Sequence, residues 1–497
     1  MQYSLETALI LLLVIPLTAA IIIPFIGERS RNLREAVTFV AGGVLLVNVA
    51  YLCMHVAQGA RPELLIGSFA GNFDIKLKLE PLGATFAAIA SSLWIVNSVF
   101  TLGYMRGNNE THQTRFFTSV AIAIAAAMGI AASANLITLF IFYEALTIST
   151  FPLVSHKGDA KAKKGLTIYA LVLMGTSLAL LLPAIIGTQV IAGTTEFRVG
   201  GVFAEGTSLL GLSILLFLFA FGIAKAALMP VHSWLPNAMV APTPVSALLH
   251  AVAVVKAGVF TMLKVVVYTF GPSLAAQTPA STTLAWIAAV SIVLASVVAL
   301  RKDNLKARLA YSTVSQLSYI TLGAMLATPA AIIGGGLQIV MHAWGKITLF
   351  MCAGAIYTVA HRTKVSQLDG LGRTMPWVFG AFLVGSVSII GIPPMGGSWP
   401  KFFLMVGAHD SGKSILIAAL IVSSILNIAY LLPVAVRGFM KPPANPEDDA
   451  HIATLRKGHR WVIVTPVFTA IGALVLFFFA GGIVDFLTPI LPGGVFP

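Results

Sequence analysis

A chain of 497 residues, of which 58% are hydrophobic and only 10% are charged, has too little polar surface to cover a soluble globule of this size. With a mean hydropathy of +0.92, the composition predicts a polytopic membrane protein. The two cysteines, Cys53 and Cys352, lie in apolar segments without a C-x-x-C motif. We therefore expect no disulfide scaffold, metal site, iron–sulfur cluster or other cofactor, and any electrons must be handled by other chains.

Apolar runs of membrane-spanning length predict fourteen helices, so the expected fold class is an all-α polytopic membrane protein. In chain order, the spans are expected near residues 5–26, 35–56, 80–104, 115–132, 134–155, 163–187, 208–230, 242–270, 281–300, 306–326, 330–360, 376–400, 413–438 and 460–488. The first run lacks the Lys and Arg that open a secretory signal, and we interpret it as a retained helix.

The distribution of basic residues supports this count. Loops after odd-numbered spans hold 21 Lys and Arg, and loops after even-numbered spans hold 5. Because basic residues collect in cytoplasmic loops, both termini are expected on the outer side of a prokaryotic cell membrane. The net charge of +13 then reflects topology and contact with anionic lipid, so we expect no nucleic-acid partner.

Charged residues inside the predicted spans are unusual, because a charge at the bilayer centre is unfavourable by about 3 kcal/mol on insertion scales. The basic ones are Lys225, Lys256, Lys264, Lys346 and Lys401. Of these, Lys264 is expected to snorkel toward an interface. Among the acidic residues only Glu144 is deep, since Glu80 and Asp485 sit near span ends. We therefore expect Glu144 to have a partner elsewhere in the chain.

Proline and glycine interrupt two spans close to a deep lysine. Met229-Pro230 follows Lys225 in span 7, and GIPPMGGSWP precedes Lys401 in span 12. Such breaks are tolerated where they line a watery cavity, and a pair at corresponding positions indicates inverted repeats. Spans 4–8 and 9–13 are the predicted repeats. The chain then divides into 1–112 with spans 1–3, 113–272, 279–440, and 441–497 with a cytoplasmic loop and span 14.

The deep side chains are of the types that a proton path requires. The spans also carry His250 beside Lys256, His342 one turn from Lys346, and His232 at the break in span 7. Burial disfavours a charged lysine and a nearby carboxylate favours it, so a Glu144 that approaches and leaves Lys225 would drive proton uptake and release. Charged lysines repel one another, which favours onward transfer. The alternative is a static Glu144–Lys225 ion pair that pins two helices, with His232 a hydrogen-bonded filler.

Several stretches resemble a known family: FGIAKAALMPVHSWLPNAMVAPTPVSALLHAVAVVKAGVF, LKARLAYSTVSQLSYITLGAM, MHAWGKITLF and GIPPMGGSWPKFF. They are similar to the antiporter-like subunits shared by respiratory complex I, membrane-bound hydrogenases and Mrp-type cation/proton antiporters. The resemblance implies fourteen helices, two inverted five-helix repeats with helices 7 and 12 broken, and proton translocation. By motif position, it places Glu144 on helix 5, Lys225 on helix 7, Lys256 on helix 8 and Lys401 at the exit on helix 12.

The resemblance leaves the paralogue open. His250 with Lys256 is similar to the largest, A-type Mrp protein, whereas the chain ends nine residues after the last predicted span, like the shorter D-type Mrp protein. One further motif is misleading: GAHDSGKS, residues 407–414, fits the P-loop pattern letter for letter. It lies between spans 12 and 13 with no strand or sheet around it, so we expect no nucleotide binding.

Three functions from different classes follow from the sequence. The first is a component of a hetero-oligomeric Mrp-type complex that exchanges Na+ or K+ for protons. The second is the proton-pumping module of a redox-driven complex, such as a hydrogenase or NADH-quinone oxidoreductase. The third is a non-conducting scaffold that docks other membrane subunits. The set of buried ionisable residues argues against a scaffold, which has no need of it, but the same path serves either driving force.

Overall fold

The computed structural model describes residues 4–69, 73–442 and 452–494. The long helices are α1 (Leu5–Ile26), α2 (Arg31–Ala57), α3 (Pro81–Gly107), α4 (Gln113–Ala131), α5 (Leu136–Val154), α6 (Ala160–Ala192), α7 (Leu209–Gly222), α8 (Thr243–Phe270), α9 (Pro279–Arg301), α10 (Leu305–Leu326), α11 (Pro329–Ala360), α12a (Pro376–Ile390), α12b (Ser398–Asp410), α13 (Leu416–Met440) and α14 (Arg460–Phe478). Short α-helices cover Trp234–Asn237, Pro272–Gln277, Leu371–Thr374 and Ala480–Leu487, and short 3₁₀ turns cover Ala224–Ala226, Ala238–Val240, Val365–Gln367, Arg456–Gly458 and Thr488–Ile490.

Helical segments lie at all fourteen predicted positions. In the part of the chain that the structure describes, eleven helices are long and apolar enough to cross a membrane by themselves. The other three positions are α7 and α12a, which are short because their spans are broken, and α10, which carries many hydroxyl and amide side chains. The all-α membrane fold is confirmed, while the count of fourteen crossings and the inverted repeats stay predictions.

A β-hairpin in the connection between α2 and α3 was not expected from the sequence. Its strands β1 (Glu63–Phe69) and β2 (Phe73–Lys78) pair antiparallel. Lys78 of β2 donates its backbone N–H to the Ala132 carbonyl oxygen at 2.6 Å, which ties the hairpin to the end of α4. Hydropathy could not reveal it, because the short strands lie outside every predicted span.

Both helix breaks are present, and the first lies closer to its lysine than expected. Span 7 stops at Gly222, so Lys225 sits inside the break, on the 3₁₀ turn Ala224–Ala226, and not before it. Span 12 stops at Ile390 and resumes at Ser398, which places Lys401 in the first turn of α12b. Each break leaves backbone carbonyl groups without a helical partner.

Helices α8 and α11 form the centre of the bundle. Every residue of α8 is buried, and so is most of α11. A polar side chain on α8 must therefore face protein, not lipid. The helix also passes very close to the break in span 7: a Cβ at Gly258 would lie 2.2 Å from the carbonyl carbon of Lys225. Only glycine allows this approach, so α8 packs directly against the backbone of the break at Lys225.

Candidate functional site

Four ionisable residues of α8 and α11 lie together at the bundle centre. Lys256 Nζ is 2.7 Å from His342 Nδ1, and Lys346 Nζ donates a hydrogen bond to Ser312 Oγ at 2.7 Å. Their side chains are fully buried, as is that of His250, whose ring packs 4.6 Å from the Phe350 ring. His250 and Lys256 therefore contact different neighbours, the Phe350 ring and the His342 imidazole.

Unusual backbone accompanies this centre. The Leu248–Val252 stretch of α8 is a π-helical turn that contains His250, and π-turns inside α-helices are frequent at functional sites. Both ring nitrogens of His250 are buried and, among the described residues, neither has a hydrogen-bond partner. A buried imidazole with both nitrogens free of protein contacts is available for proton exchange with water.

Lys225 turns toward α5, although not onto the residue expected. Its Nζ donates to the Tyr143 carbonyl oxygen at 2.8 Å and to Thr147 Oγ1 at 2.6 Å, and it lies 3.1 Å from the centre of the Tyr143 ring. Tyr143 and Thr147 are one helical turn apart, so together they form a seat for the ammonium group. These two residues were not identified from the sequence.

The carboxylate of Glu144 makes no hydrogen bond or close ion pair among the described residues. Both of its oxygens are buried, and within the described residues neither accepts a hydrogen bond. The expected partner of Glu144 is thus not engaged, yet Glu144 adjoins Tyr143 and interacts electrostatically with Lys225. On α5, Glu144 lies on the same face as Ile141 and Ile148, whose side chains are 42% and 52% exposed. Glu144 is therefore half-buried near the outer surface of this chain, with its two carboxylate oxygens turned inward.

The last lysine is held by its own helix break. Lys401 Nζ donates to the Ile390 carbonyl oxygen at 2.6 Å and to Ser424 Oγ on α13 at 2.8 Å. Ile390 is the last residue of α12a, so its carbonyl is one of those that the break leaves free. The broken helix thus supplies the acceptor that its buried lysine needs.

Lys264 does not snorkel, and this expectation was wrong. Its side chain is 1% exposed, Nζ lies 3.3 Å from Glu80 Oε1, and it donates to the Ser133 carbonyl oxygen at 2.8 Å. Glu80 also accepts from the Tyr268 hydroxyl at 2.6 Å and from the backbone of Leu82 and Gly83, which caps α3. Both Lys264 and Glu80 thus have their hydrogen-bond partners, as expected for an ion pair that stabilises the fold.

His232 stands apart from the buried lysines. It is only partly buried, its Nδ1 lies 3.2 Å from the Pro230 carbonyl oxygen, and its ring centre is 6.1 Å from that of Tyr311. The structure therefore brings together Lys256, His342 and Lys346 with His250, places Lys225 against α5 beside Glu144, holds Lys401 at the second helix break, and leaves His232 outside these groups.

Sequence reasoning missed the hydroxyl groups that receive the lysines. Ser312 accepts from Lys346, and Ser424 accepts from Lys401. Around them, polar side chains recur at intervals of three or four residues: Ser312, Ser315 and Tyr319 on α10, and Ser424, Asn427 and Tyr430 on α13. A polar stripe with helical period on two otherwise apolar helices was the signal that could have found them.

Comparison with known proteins agrees with this architecture. The family model described as "NADH:quinone oxidoreductase/Mrp antiporter, TM" matches residues 133–427. NADH-quinone oxidoreductase subunit N of Desulforudis audaxviator (strain MP104C) is 26% identical over 475 residues, which cover 93% of this chain and 94% of that protein. A probable K(+)/H(+) antiporter protein of Rhizobium meliloti (strain 1021) is 28% identical, but the match covers 80% of this chain and 40% of that longer protein.

Two solved structures share the fold. A chain of the Mrp complex from Dietzia sp. DQ12-45-1b aligns with a TM-score of 0.85 at 21% identity, covering 97% of this chain and 96% of that one. A chain of the membrane-bound sulfane sulfur reductase, an archaeal respiratory membrane complex, aligns with a TM-score of 0.79 at 21% identity, covering 96% and 97%. Both are chains of membrane complexes. The chain belongs to the family of membrane subunits shared by NADH:quinone oxidoreductases and Mrp antiporters.

Proposed function

We propose that this chain translocates protons along its buried ionisable residues as one component of a hetero-oligomeric antiporter that exchanges Na+ or K+ for protons. The observation that carries the proposal is the buried series from Lys225 through Lys256, His342 and Lys346 to Lys401, with side chains at most 6% exposed. The series passes through both helix breaks and the central helices. We call these five residues with Glu144 and His250 the proton path.

The geometry of the path suits proton transfer better than static packing. In the Lys256–His342 contact a lysine amine faces an imidazole nitrogen at 2.7 Å, so one hydrogen is shared between two groups that both ionise. His342 and Lys346 lie one helical turn apart on α11. Two positive charges at that spacing, about 6 Å, repel by about 3 kcal/mol at an effective dielectric constant of 20. The series cannot hold all its protons at once, so a proton added at one end favours release at the other.

Glu144 and Lys225 form the switch of this proposal. The lysine alternates between the seat made by Tyr143 and Thr147, where the structure places it, and the unpartnered carboxylate of Glu144. Because Glu144 lies at the edge of the chain, an adjoining membrane protein of the complex covers it and delivers or withdraws the driving charge. Both termini lie on the outer side of a prokaryotic membrane in this proposal.

A second function has its own support. The match to subunit N of NADH-quinone oxidoreductase covers nearly the full length of both proteins, whereas the match to the probable K(+)/H(+) antiporter protein covers 40% of that protein. The same path would then pump protons in a redox-driven complex. A non-conducting scaffold is the poorest candidate, because several buried lysines destabilise a membrane protein without serving a scaffold.

Mass spectrometry of what copurifies with a tagged chain in mild detergent separates the first two functions. Small hydrophobic subunits alone, followed by Na+- or K+-dependent collapse of a pH gradient in everted vesicles, would support antiport. Flavin, iron–sulfur or nickel subunits would contradict antiport and support redox-driven pumping. In either assembly Glu144→Ala and Lys225→Ala should abolish proton movement with the complex intact, and normal transport in both variants would rule out the proton path.

A further inference from the structure

Two cavities lie in line along the side of α3 that meets the C-terminal end of the chain. The deeper one, of about 350 Å³, is lined by apolar side chains that include Ala84 and Ala88 on α3, Val340 and Trp344 on α11, and Phe486. The second, of about 310 Å³, lies one helical turn further on both walls, at Pro81 and Pro489. We call them the apolar groove and the basic cavity.

The apolar groove has no polar atom that needs an occupant. Thr85 Oγ1 and Ser92 Oγ, which line it, each donate to a carbonyl oxygen one turn earlier in α3, at 2.8 and 2.7 Å. The Cys53 thiol donates to the Ala84 carbonyl oxygen at 3.7 Å. Water is stable in a cavity only where several polar groups receive it, so this groove suits a hydrocarbon.

The two cavities together have the depth of one membrane leaflet. From Pro81 in the basic cavity to Ser92 in the groove, α3 rises by about 16 Å at about 1.5 Å per residue. The opposite wall agrees, because Val340 lies equally far from Pro329, where α11 begins. One leaflet contributes about 15 Å, half of a hydrocarbon core of about 30 Å. The groove therefore ends near the middle of the membrane.

The basic cavity is unusual for the side of the chain on which it lies. Loops after even-numbered spans hold only 5 Lys and Arg, and Arg61, Lys78 and Arg198 among them line this one cavity. Basic residues are sparse on that side of a membrane protein, so topology does not explain why three converge. The acidic residue in the lining, Glu80, is already paired with Lys264.

Two arginines in this cavity have no carboxylate partner among the described residues. Arg61 donates to two nearby backbone carbonyl oxygens at 2.7 and 3.0 Å. Arg198 is exposed and, within the described part of the chain, its side chain makes no hydrogen bond or ion pair. Only Lys78 is neutralised, by Glu63 at 3.0 Å. Guanidinium groups match the geometry of phosphate oxygens, so this end suits a phosphate ester.

We propose that the two cavities together bind one anionic phospholipid, with its phosphate at Arg61 and Arg198 and one acyl chain in the apolar groove. Its other chain stays in the surrounding bilayer. A soluble anion would account for the basic cavity alone, whereas an amphiphile accounts for both cavities and for their length. The bound chain packs against Trp344 of α11, the helix that carries His342 and Lys346, and its binding does not depend on what drives transport.

Quenching of tryptophan fluorescence by lipid with brominated acyl chains tests this site. The purified complex in mild detergent is titrated with brominated phosphatidylglycerol, which is anionic, or with brominated phosphatidylcholine, which is zwitterionic. The part of the quenching that is lost in Trp344→Phe reports the groove. We expect this part to reach half of its maximum at a several-fold lower concentration of phosphatidylglycerol than of phosphatidylcholine.

Variants at the two ends separate the phosphate from the chain. Each of Arg61→Gln and Arg198→Gln should raise the phosphatidylglycerol concentration at half-maximum by about fivefold, and the double variant by about 25-fold. Ala88→Phe fills the groove and should abolish the Trp344 signal with both lipids. Lys413→Gln is the matched control, because Lys413 is a basic residue on the same side that does not line the cavity, and it should behave as the wild type.

Three results would overturn the proposal. Equal half-maxima for the two lipids in the wild type would show that the site does not select an anionic headgroup. An equal loss in Lys413→Gln and in the arginine variants would show general surface charge and not a site. Absence of Trp344-specific quenching by either lipid would show that something else, such as an adjoining membrane protein, fills the groove. The surface arginine variants decide the matter even where Ala88→Phe fails to assemble.

Discussion

Thr147 tests the switch between Lys225 and Glu144, because it stabilises one of the two positions of the lysine. In the structure the Lys225 ammonium donates to Thr147 Oγ1 at 2.6 Å and to the Tyr143 carbonyl oxygen at 2.8 Å. Thr147→Val keeps the side-chain shape and removes only the hydroxyl acceptor. The lysine then loses one of its two acceptors in this seat, while its attraction to Glu144 is unchanged.

The magnitude follows from these contacts. A hydrogen bond to a charged group contributes about 1.5–3 kcal/mol, and attraction to a carboxylate 4 Å away contributes about 4 kcal/mol at an effective dielectric constant of 20. The two positions are thus of comparable free energy in the wild type. Removing one bond shifts the population toward the Glu144 pair by about tenfold to a hundredfold. A lysine held on Glu144 delivers fewer protons, so we expect transport to slow by a similar factor.

The assay is dye-monitored proton movement in everted vesicles that contain the assembled complex. Thr150→Val is the matched control: Thr150 lies on the same helix and is also buried, but its hydroxyl lies 2.7 Å from the Tyr169 hydroxyl and does not bind Lys225. Wild-type rates in Thr147→Val would refute the switch. Equal losses in both variants would show that a buried hydroxyl on this part of α5 matters for packing alone.

Three more predictions concern the close helix contact, the exit and a loop histidine. Gly258→Ala should lower the melting temperature of the complex, because the new Cβ would lie 2.2 Å from the Lys225 backbone. Gly175→Ala is the control and should not lower it, because a Cβ there would meet open space. Equal melting temperatures for the two variants would contradict the close contact. Lys401→Ala should stop release on the outer side, and an unchanged pH gradient would argue against that exit. Burial lowers the pKa of His156 from about 6.5 to about 4. The free energy of unfolding should therefore fall by up to about 3 kcal/mol as the pH drops from 6.5 toward 4, because the buried imidazole resists protonation. In His156→Gln, the melting temperature should change less over that pH range.

Hydropathy and proline patterns were sufficient to locate the helical segments and the two breaks. Helical segments lie at every predicted span, and both predicted breaks are present, because apolar length, proline and loop charge are local properties of the sequence. Lys225, Lys256, Lys346 and Lys401 could be singled out for the same reason. Charged residues in apolar runs are visible without knowing what they touch.

The contacts of these lysines could not be predicted. Whether Lys225 meets Glu144 or the Tyr143 carbonyl depends on side-chain positions around a helix break, which the sequence does not specify. Lys264 was misjudged because its acceptors, Glu80 and the Ser133 carbonyl, come from distant parts of the chain. The polar stripes on α10 and α13 are visible in the sequence, but which hydroxyl accepts from Lys346 or from Lys401 emerged only from the packing of these helices.

The central claim, that protons cross the chain along one buried path, is tested most directly by comparing two buried lysines. Lys346 lies in the middle of the path, and Lys264 is as deeply buried but engaged with Glu80. Proton movement should be measured in liposomes containing the purified complex with Lys346→Gln or Lys264→Gln, at equal amounts of assembled protein. The account predicts no proton movement with Lys346→Gln and retained movement with Lys264→Gln. Wild-type rates in Lys346→Gln would contradict it.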